Sequence, residues 1–96
     1  MPQVKWLPDA LGDVQRLHAF LKEKDTEAAS KAVDRILEGA RLLRSSPRIG
    51  RPMADGAGKR EVFVAFGSGA YVLRYMLEGN DTVVIIRVWH SRESRE

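Results

Sequence analysis

The sequence predicts an α+β fold in which an N-terminal strand precedes an antiparallel helix hairpin and then a three-stranded antiparallel meander packed on the helices. Two observations predict it. Apolar residues recur at helical spacing through the first half of the chain, whereas the second half has short apolar runs separated by glycine-containing turns. Because helices precede consecutive strands, we expect the helices to cover one face of the sheet.

The first elements are a strand and a helix. Residues 3–7 alternate between polar and apolar side chains, which is typical of a short strand. Pro8 ends this strand, and Asp9 is expected to cap the helix that follows. The spacing of the apolar residues predicts an amphipathic helix of about four turns. These residues are Ala10, Leu11, Val14, Leu17 and Leu21, with Phe20 beside them.

A polar break at residues 22–25 separates this helix from a second one, for which Asp25 or Thr26 is the expected cap. The second helix ends before Pro47, because the residue preceding a proline resists the helical conformation. Its apolar stripe consists of Ala29, Val33, Ile36, Ala40 and Leu43, with Leu37 on its flank. So short a break predicts an antiparallel helix hairpin.

The second half begins with a loop over residues 47–59, which are rich in glycine and proline. Three strands are predicted after it, at residues 61–66, 70–78 and 82–90, with a Gly-containing turn before the second and the third. Side chains alternate between the faces of a strand. The side chains expected to pack on the helices are Tyr71, Leu73, Tyr75 and Leu77.

The register of the meander depends on the lengths of its turns. If the first turn has three residues, Val62 lies opposite Arg74, and Arg60 and Arg74 are diagonal neighbours on one face. A three-residue second turn brings His90 to that face and buries Trp89 under the helices, whereas a two-residue turn exchanges the two faces. We favour the three-residue turn because Trp89 is the larger apolar side chain. Arg87 then needs a carboxylate partner or an exit at the sheet edge.

The composition is that of one domain over residues 1–96, with 44% apolar and 30% charged residues. The absence of cysteine excludes disulfides and thiolate metal sites and allows a cytoplasmic location, which we expect. The N-terminus has no apolar signal region. No apolar run approaches the roughly 20 residues needed to span a membrane.

Positive charge is concentrated in the second part of the chain. Residues 41–96 carry ten Lys or Arg against six Asp or Glu, and nine of the ten basic residues are arginine. Arginine suits planar recognition of carboxylate or phosphate. An anionic partner, either nucleic acid or an acidic peptide, is therefore expected.

His90, at the end of the last strand, is the main candidate for proton transfer near neutral pH. No spacing places a serine, a cysteine or a second histidine beside it, so a nucleophilic triad is unsupported. His18 and His90 share no carboxylate cluster, and neither a metal nor another cofactor is expected. The alternative interpretation is a strand-terminal histidine that hydrogen-bonds a backbone carbonyl.

The arginines of the second half allow three interpretations. They can clamp phosphates, hold an acidic partner segment, or pair internally with Glu61, Glu78 and Glu93. The arginines in question are Arg60, Arg74, Arg87 and Arg92.

Five segments, taken in order, carry a resemblance to a known family. They are residues 6–10 (WLPDA), 47–52 (PRIGRP), 60–62 (REV), 69–75 (GAYVLRY) and 86–92 (IRVWHSR). Over nearly its full length the chain resembles the RelE/ParE toxins of bacterial toxin–antitoxin modules, often called plasmid stabilisation proteins. The resemblance implies a RelE/ParE-like fold and a growth-inhibiting toxin.

This family divides by target. RelE-like members are ribosome-dependent endoribonucleases that cut messenger RNA, and they commonly have arginine after the tyrosine of the second strand and often a tyrosine near the C-terminus. Here Val72 takes the first position and nothing aromatic follows Trp89. The chain is more similar to the ParE branch, whose members inhibit DNA gyrase and have no known catalytic site of their own.

For the ParE branch, the candidates for contact with the target or the antitoxin are Arg51, Arg60, Arg74, His90 and Arg92. For a ribonuclease, His90 would instead be the general acid or base, and Arg74 and Arg60 would stabilise the pentacovalent phosphate. A third hypothesis is a non-toxic basic binding module. The resemblance also implies a cognate antitoxin, acidic and folding on binding, and it allows a hetero-oligomer with that antitoxin.

Overall fold

The computed structural model describes residues 2–93. It confirms the predicted α+β order of strand, helix hairpin and antiparallel strands. The elements are β1 (Gln3–Trp6), α1 (Pro8–Lys22), α2 (Thr26–Ser45), β2 (Arg51–Pro52), β3 (Lys59–Phe66), β4 (Gly69–Glu78) and β5 (Thr82–His90). The short strand β2 was not predicted, and it lies inside the segment that was expected to be a loop.

All five strands belong to one sheet, in the order β1-β5-β4-β3-β2. β1 runs parallel to β5, and the other neighbours are antiparallel. The last bond of the β1–β5 ladder joins the Leu7 N–H to the Ile85 carbonyl at 3.0 Å. The second half of β5 is therefore an edge of the sheet.

The helix termini follow local chemistry. α1 has Pro8 at its start, where a missing N–H costs nothing. Its N-cap is Leu7, without a side-chain bond, so the prediction that Asp9 caps this helix is wrong. Asp25 caps α2 as predicted, because its carboxylate accepts the N–H groups of Glu27 and Ala28. Among residues 2–93, neither helix is apolar over a length that would cross a membrane.

The core lies between the helices and one face of the sheet. Tyr71, Leu73 and Tyr75 are buried there, as predicted, and Leu77 packs against them partly buried. Gly39 lets α2 approach the sheet, since an added Cβ would lie 2.7 Å from the Val64 side chain. The largest exceptions to the predicted core are Leu11 and Phe20 of α1, which are 49% and 59% exposed.

The β3–β4 turn has two residues, Gly67 and Ser68, rather than three. Gly67 has a φ of 62°, in the left-handed region that two-residue hairpin loops require. The register is therefore shifted by one residue, and Glu61 rather than Val62 lies opposite Arg74. The predicted neighbourhood of Arg60 and Arg74 is wrong, because these two residues lie on opposite faces.

Each of the two registers considered for β5 is found in one half of the strand. Residues 82–85 follow the register of a three-residue turn, and residues 87–90 follow that of a two-residue turn. The three-residue turn before β5 is present, but Ile86 is an extra residue relative to β4. This irregularity shifts the alternation, so Trp89 lies opposite Val72 on the face turned away from the helices. The prediction that Trp89 packs under the helices is therefore wrong.

Candidate functional site

The structure distributes the five predicted contact residues over three places. Arg51 and Arg74 lie on the face of the sheet away from the helices, which we call the outer face. Arg60 lies at one end of the helix-covered face, and His90 and Arg92 lie at the other end.

An open groove of about 720 Å³ lies between α1 and the end of the sheet that carries the β3–β4 turn. Its apolar lining consists of Leu17, Phe20, Leu21, Phe66 and Tyr71, and its polar lining consists of Arg16, Ser68, His90, Arg92 and Glu93. The exposed ring of Phe20 belongs to this lining, which accounts for an apolar side chain left outside the core. A concave apolar surface with polar groups at its margin is a typical binding site.

His90 lines the groove with both ring nitrogens hydrogen-bonded. Nε2 lies 3.0 Å from the Phe66 carbonyl oxygen, and Nδ1 accepts the Arg92 N–H at 3.2 Å. A carbonyl only accepts and an amide N–H only donates, so these two bonds together require the hydrogen on Nε2. Its edge also packs on Tyr71, with the ring centroids 5.0 Å apart. The bonding of His90 therefore agrees with the alternative interpretation, a strand-terminal histidine that hydrogen-bonds a backbone carbonyl.

The edge of β5 is covered by Asp13, a 4% exposed carboxylate on α1 that the sequence analysis missed. Asp13 accepts the Val88 N–H at 2.8 Å and two guanidinium bonds from Arg87, at 2.8 and 3.0 Å. Arg87 thus has the carboxylate partner at the sheet edge that we expected. Asp13 shares the stripe of Ala10, Val14 and Leu17, and a carboxylate at such a position was the available signal.

The pKa of Asp13 reflects two opposed effects. Burial raises this pKa, but the hydrogen bonds from Arg87 and Val88 and the charge of Arg87 outweigh burial, and the pKa is lowered. Asp13 is therefore ionised at neutral pH, as its role as an acceptor requires.

Glu93 covers the next outward-facing amide of β5. Its Oε2 accepts the His90 N–H at 2.7 Å, and its Oε1 pairs with the Arg16 guanidinium. Arg16 also lies 3.4 Å from Asp13. The two carboxylates and Arg16 therefore form one ionic cluster along the edge, beside the groove.

The outer face carries an arginine that is held from two sides. Arg74 donates through Nε and Nη2 to Glu61 Oε2, at 3.0 and 2.8 Å. Its guanidinium also lies 4.9 Å from the Trp89 ring centroid, in cation–π contact. Nearby, Arg51 lies 5.5 Å from the ring of Phe63, which is 50% exposed.

The opposite end of the helix-covered face is closed by a set of bonds that we call the clasp. The Tyr75 hydroxyl donates to the Pro47 carbonyl at 2.8 Å and accepts the Gly50 N–H at 2.9 Å. Arg60 donates to the carbonyls of Gly50 and Arg48, at 2.8 and 3.2 Å. Burial raises the pKa of Tyr75, against a lowering by Gly50 and Arg60. Arg60 thus stabilises the segment that precedes β2.

The three residues required for the ribonuclease hypothesis do not meet. His90 lies opposite Tyr71, Arg60 lies opposite Tyr75, and Arg74 is on the outer face. The two tyrosines are four positions apart along β4, which corresponds to roughly 13 Å. Within residues 2–93, no group of three or more His, Cys, Asp or Glu side chains is placed to bind a metal ion.

Comparison with known proteins identifies the family. The family model for the ParE toxin of the type II toxin–antitoxin system, parDE, matches residues 4–95. The chain belongs to the ParE toxin family. The resemblance predicted from the sequence is confirmed, and this ParE-family protein is the toxin component of a type II module, which implies a cognate antitoxin.

Relatives and a solved structure agree with this assignment. Toxin RelE3 of Caulobacter vibrioides is 37% identical over 95 residues, covering 99% of this chain and 100% of the relative. Toxin RelE1 of the same organism is 36% identical over 83 residues, which is 86% of each chain. A chain of the chromosomal ParDE system from P. aeruginosa superposes with a TM-score of 0.73 at 20% identity, covering 94% of this chain and 96% of that one, and so has the same fold.

Proposed function

We propose that this toxin arrests growth by binding DNA gyrase rather than by cutting RNA. The observation that carries the proposal is the bonding of His90, whose two ring nitrogens are both engaged by backbone groups. A general acid or base needs a nitrogen within reach of the substrate proton. In His90, such a nitrogen becomes available only when one of these bonds breaks.

The two arginines that the ribonuclease hypothesis requires, Arg60 and Arg74, are also bonded to other groups of the protein. Arg74 bonds Glu61 and is in cation–π contact with Trp89, and Arg60 bonds two carbonyls in the clasp. Stabilising a pentacovalent phosphate requires guanidinium donors aimed at one point, whereas these two groups lie on opposite faces. This separation supports an inhibitor that acts by contact.

Of the five predicted contact residues, Arg51 and Arg92 are the best placed to meet a partner. Both are exposed, and neither forms an ion pair with a carboxylate among residues 2–93. Their charge is available to an anionic surface of gyrase or to an acidic antitoxin that folds on binding. In this proposal His90 forms part of the groove wall, and Arg60 and Arg74 stabilise the fold around the contact surface. We propose that the toxin is one cytoplasmic domain, residues 1–96.

The proposal is tested by supercoiling of relaxed plasmid with purified gyrase and toxin freed of its antitoxin. We expect the toxin to block supercoiling, and we expect Arg51→Ala combined with Arg92→Ala to weaken the block. Arg41→Ala is the matched control, since Arg41 is exposed on α2 and lies outside the predicted contact set. Full supercoiling at saturating wild-type toxin would contradict the proposal.

A ribosome-dependent endoribonuclease is the second candidate, because both relatives described above are named RelE toxins. It predicts cleavage of messenger RNA on translating ribosomes and loss of that cleavage in His90→Gln. The third hypothesis, a non-toxic binding module, predicts normal growth when the gene is induced without its antitoxin.

A further inference from the structure

The free edge of β5 presents two amides that a further strand would use. Beyond the last bond to β1, the N–H groups of Val88 and His90 point away from β4, two residues apart as in a ladder. Each is covered by a carboxylate, Asp13 at 2.8 Å and Glu93 at 2.7 Å. Unpaired edges of this kind are otherwise open to pairing with another chain.

The two carboxylates differ in how firmly they are held. Asp13 is buried on a helix and also accepts two bonds from Arg87. Glu93 lies three residues beyond the end of β5, with its side chain 27% exposed, and its charge is paired with the 47% exposed Arg16. Exposed ion pairs are weak, so Glu93 is displaceable whereas Asp13 is not.

Glu93 occupies the place that a carboxylate of a bound partner would take. Its carboxylate lines the groove and is held by one backbone N–H and one guanidinium, the pair of donors that a carboxylate of a partner would seek. Arg92 adds positive charge to the same margin, and the exposed Phe20 and the ring of Phe66 supply apolar surface beside it. The groove therefore suits a segment in which an acidic residue is followed by apolar ones.

We propose that Glu93 is a built-in competitor that occupies the antitoxin's site in the free toxin. An acidic side chain of the antitoxin displaces Glu93, accepts the His90 N–H and pairs with Arg16, while neighbouring apolar side chains enter the groove against Phe20 and Phe66. This inference rests on the antitoxin partnership and on the acidic antitoxin of the proposed function.

Competition has a distinctive consequence, because removing Glu93 strengthens binding. The antitoxin no longer has to open an ion pair of ordinary surface strength, so Glu93→Gln should bind roughly three- to tenfold more tightly. When Arg16→Gln is added to Glu93→Gln, binding should weaken at least about tenfold, since the incoming carboxylate loses a charge-assisted bond for which Glu93 no longer competes. A Glu93 that contributed only its charge to the surface would give no more gain than removal of another exposed carboxylate.

The experiment is calorimetric titration of the full-length toxin with the antitoxin encoded beside its gene. Glu78→Gln is the matched control, because it removes the same charge from an exposed ion pair, with Lys5 at 3.6 Å, at the opposite end of β4. The inference predicts tighter binding for Glu93→Gln than for Glu78→Gln. Equal or weaker binding overturns it, and absence of binding by the wild type overturns the antitoxin partnership together with it.

Hydrogen exchange of the free toxin supplies a readout that does not involve the antitoxin. If Glu93 covers the His90 N–H, this amide should exchange faster in Glu93→Ala, which has no side-chain acceptor, than in the wild type, while the Val88 amide, covered by Asp13, should be unchanged. Equal exchange of the His90 amide in both proteins overturns the proposed cover.

Discussion

The two ends of the helix-covered face are built around the same residue type but differ in what surrounds it. Tyr71 and Tyr75 project from the same face of β4, and both are buried. At Tyr75 the hydroxyl bonds two backbone groups and the clasp closes over it. At Tyr71 the ring is flanked by Phe66 and His90, at 5.1 and 5.0 Å, and the surface beside it opens into the groove.

This difference indicates that one end of the face stabilises the fold and the other end binds a partner. Polar atoms at the clasp are used to fix the chain, so substitutions there should reduce stability. Polar atoms at the groove end surround a concave surface, so substitutions there should change binding more than folding.

The largest loss of stability is expected for Gly50→Ala. An added Cβ would lie 2.5 Å from the Tyr75 hydroxyl oxygen and 2.6 Å from its Cε1, too close for any side chain. The clasp must then open, and we expect the free energy of unfolding in urea to fall by about 3 kcal/mol. Gly12→Ala is the control, because nothing lies within 4 Å of its added Cβ. Equal stability of the two variants would contradict the clasp.

Asp13→Asn should have the next largest effect. The neutral amide loses the ion pair with Arg87 and has one acceptor oxygen instead of two, so unfolding free energy at pH 7 should fall by about 2 kcal/mol. Asp34→Asn, at an exposed position of α2, should change little.

The same residue sets a pH dependence. Because the folded pKa of Asp13 is lowered, its stabilisation is fully present above the unfolded value of about 3.9 and is lost as pH falls through the folded pKa below it. Denaturation between neutral pH and the acid range should show this loss in the wild type and a smaller loss in Asp13→Asn. Identical pH profiles would show that Asp13 is not the group responsible.

The two tyrosines allow a direct comparison of the ends. Tyr75→Phe leaves the Pro47 carbonyl and the Gly50 N–H without their partner, so it should cost about 1–2 kcal/mol in thermal or urea unfolding. Tyr71→Phe should cost less, since the Tyr71 hydroxyl forms no hydrogen bond within residues 2–93. A larger loss at Tyr71 would reverse the proposed division.

The smallest effect on stability is expected for Arg92→Glu at the margin of the groove. Arg92 is exposed, so unfolding free energy should change by less than about 0.5 kcal/mol. Binding of the antitoxin, which we propose to be acidic, should nevertheless weaken, as measured by calorimetry. Arg41→Glu on α2 makes the same change of charge on a different surface and should bind as the wild type does.

The sequence predicted the helices, the order of the strands and the buried face of β4, because these depend on periodicity within a segment. It did not predict the groove. That site depends on a turn shorter by one residue at Gly67 and on the extra residue Ile86 in β5, which together decide where Arg60, Trp89 and His90 lie. Turn length and strand register depend on contacts between segments that are distant in the sequence. One such contact is the hydrogen bond that Asp13 of α1 accepts from the Val88 N–H.

Supercoiling by purified gyrase, with toxin titrated against a fixed amount of enzyme, tests most directly the claim that this protein acts by contact rather than by catalysis. The predicted result is inhibition that saturates as toxin approaches the molar amount of gyrase, with His90→Gln within about threefold of the wild type, whereas loss of a general acid or base costs about 10²- to 10⁴-fold. Undiminished supercoiling at saturating toxin would contradict the account.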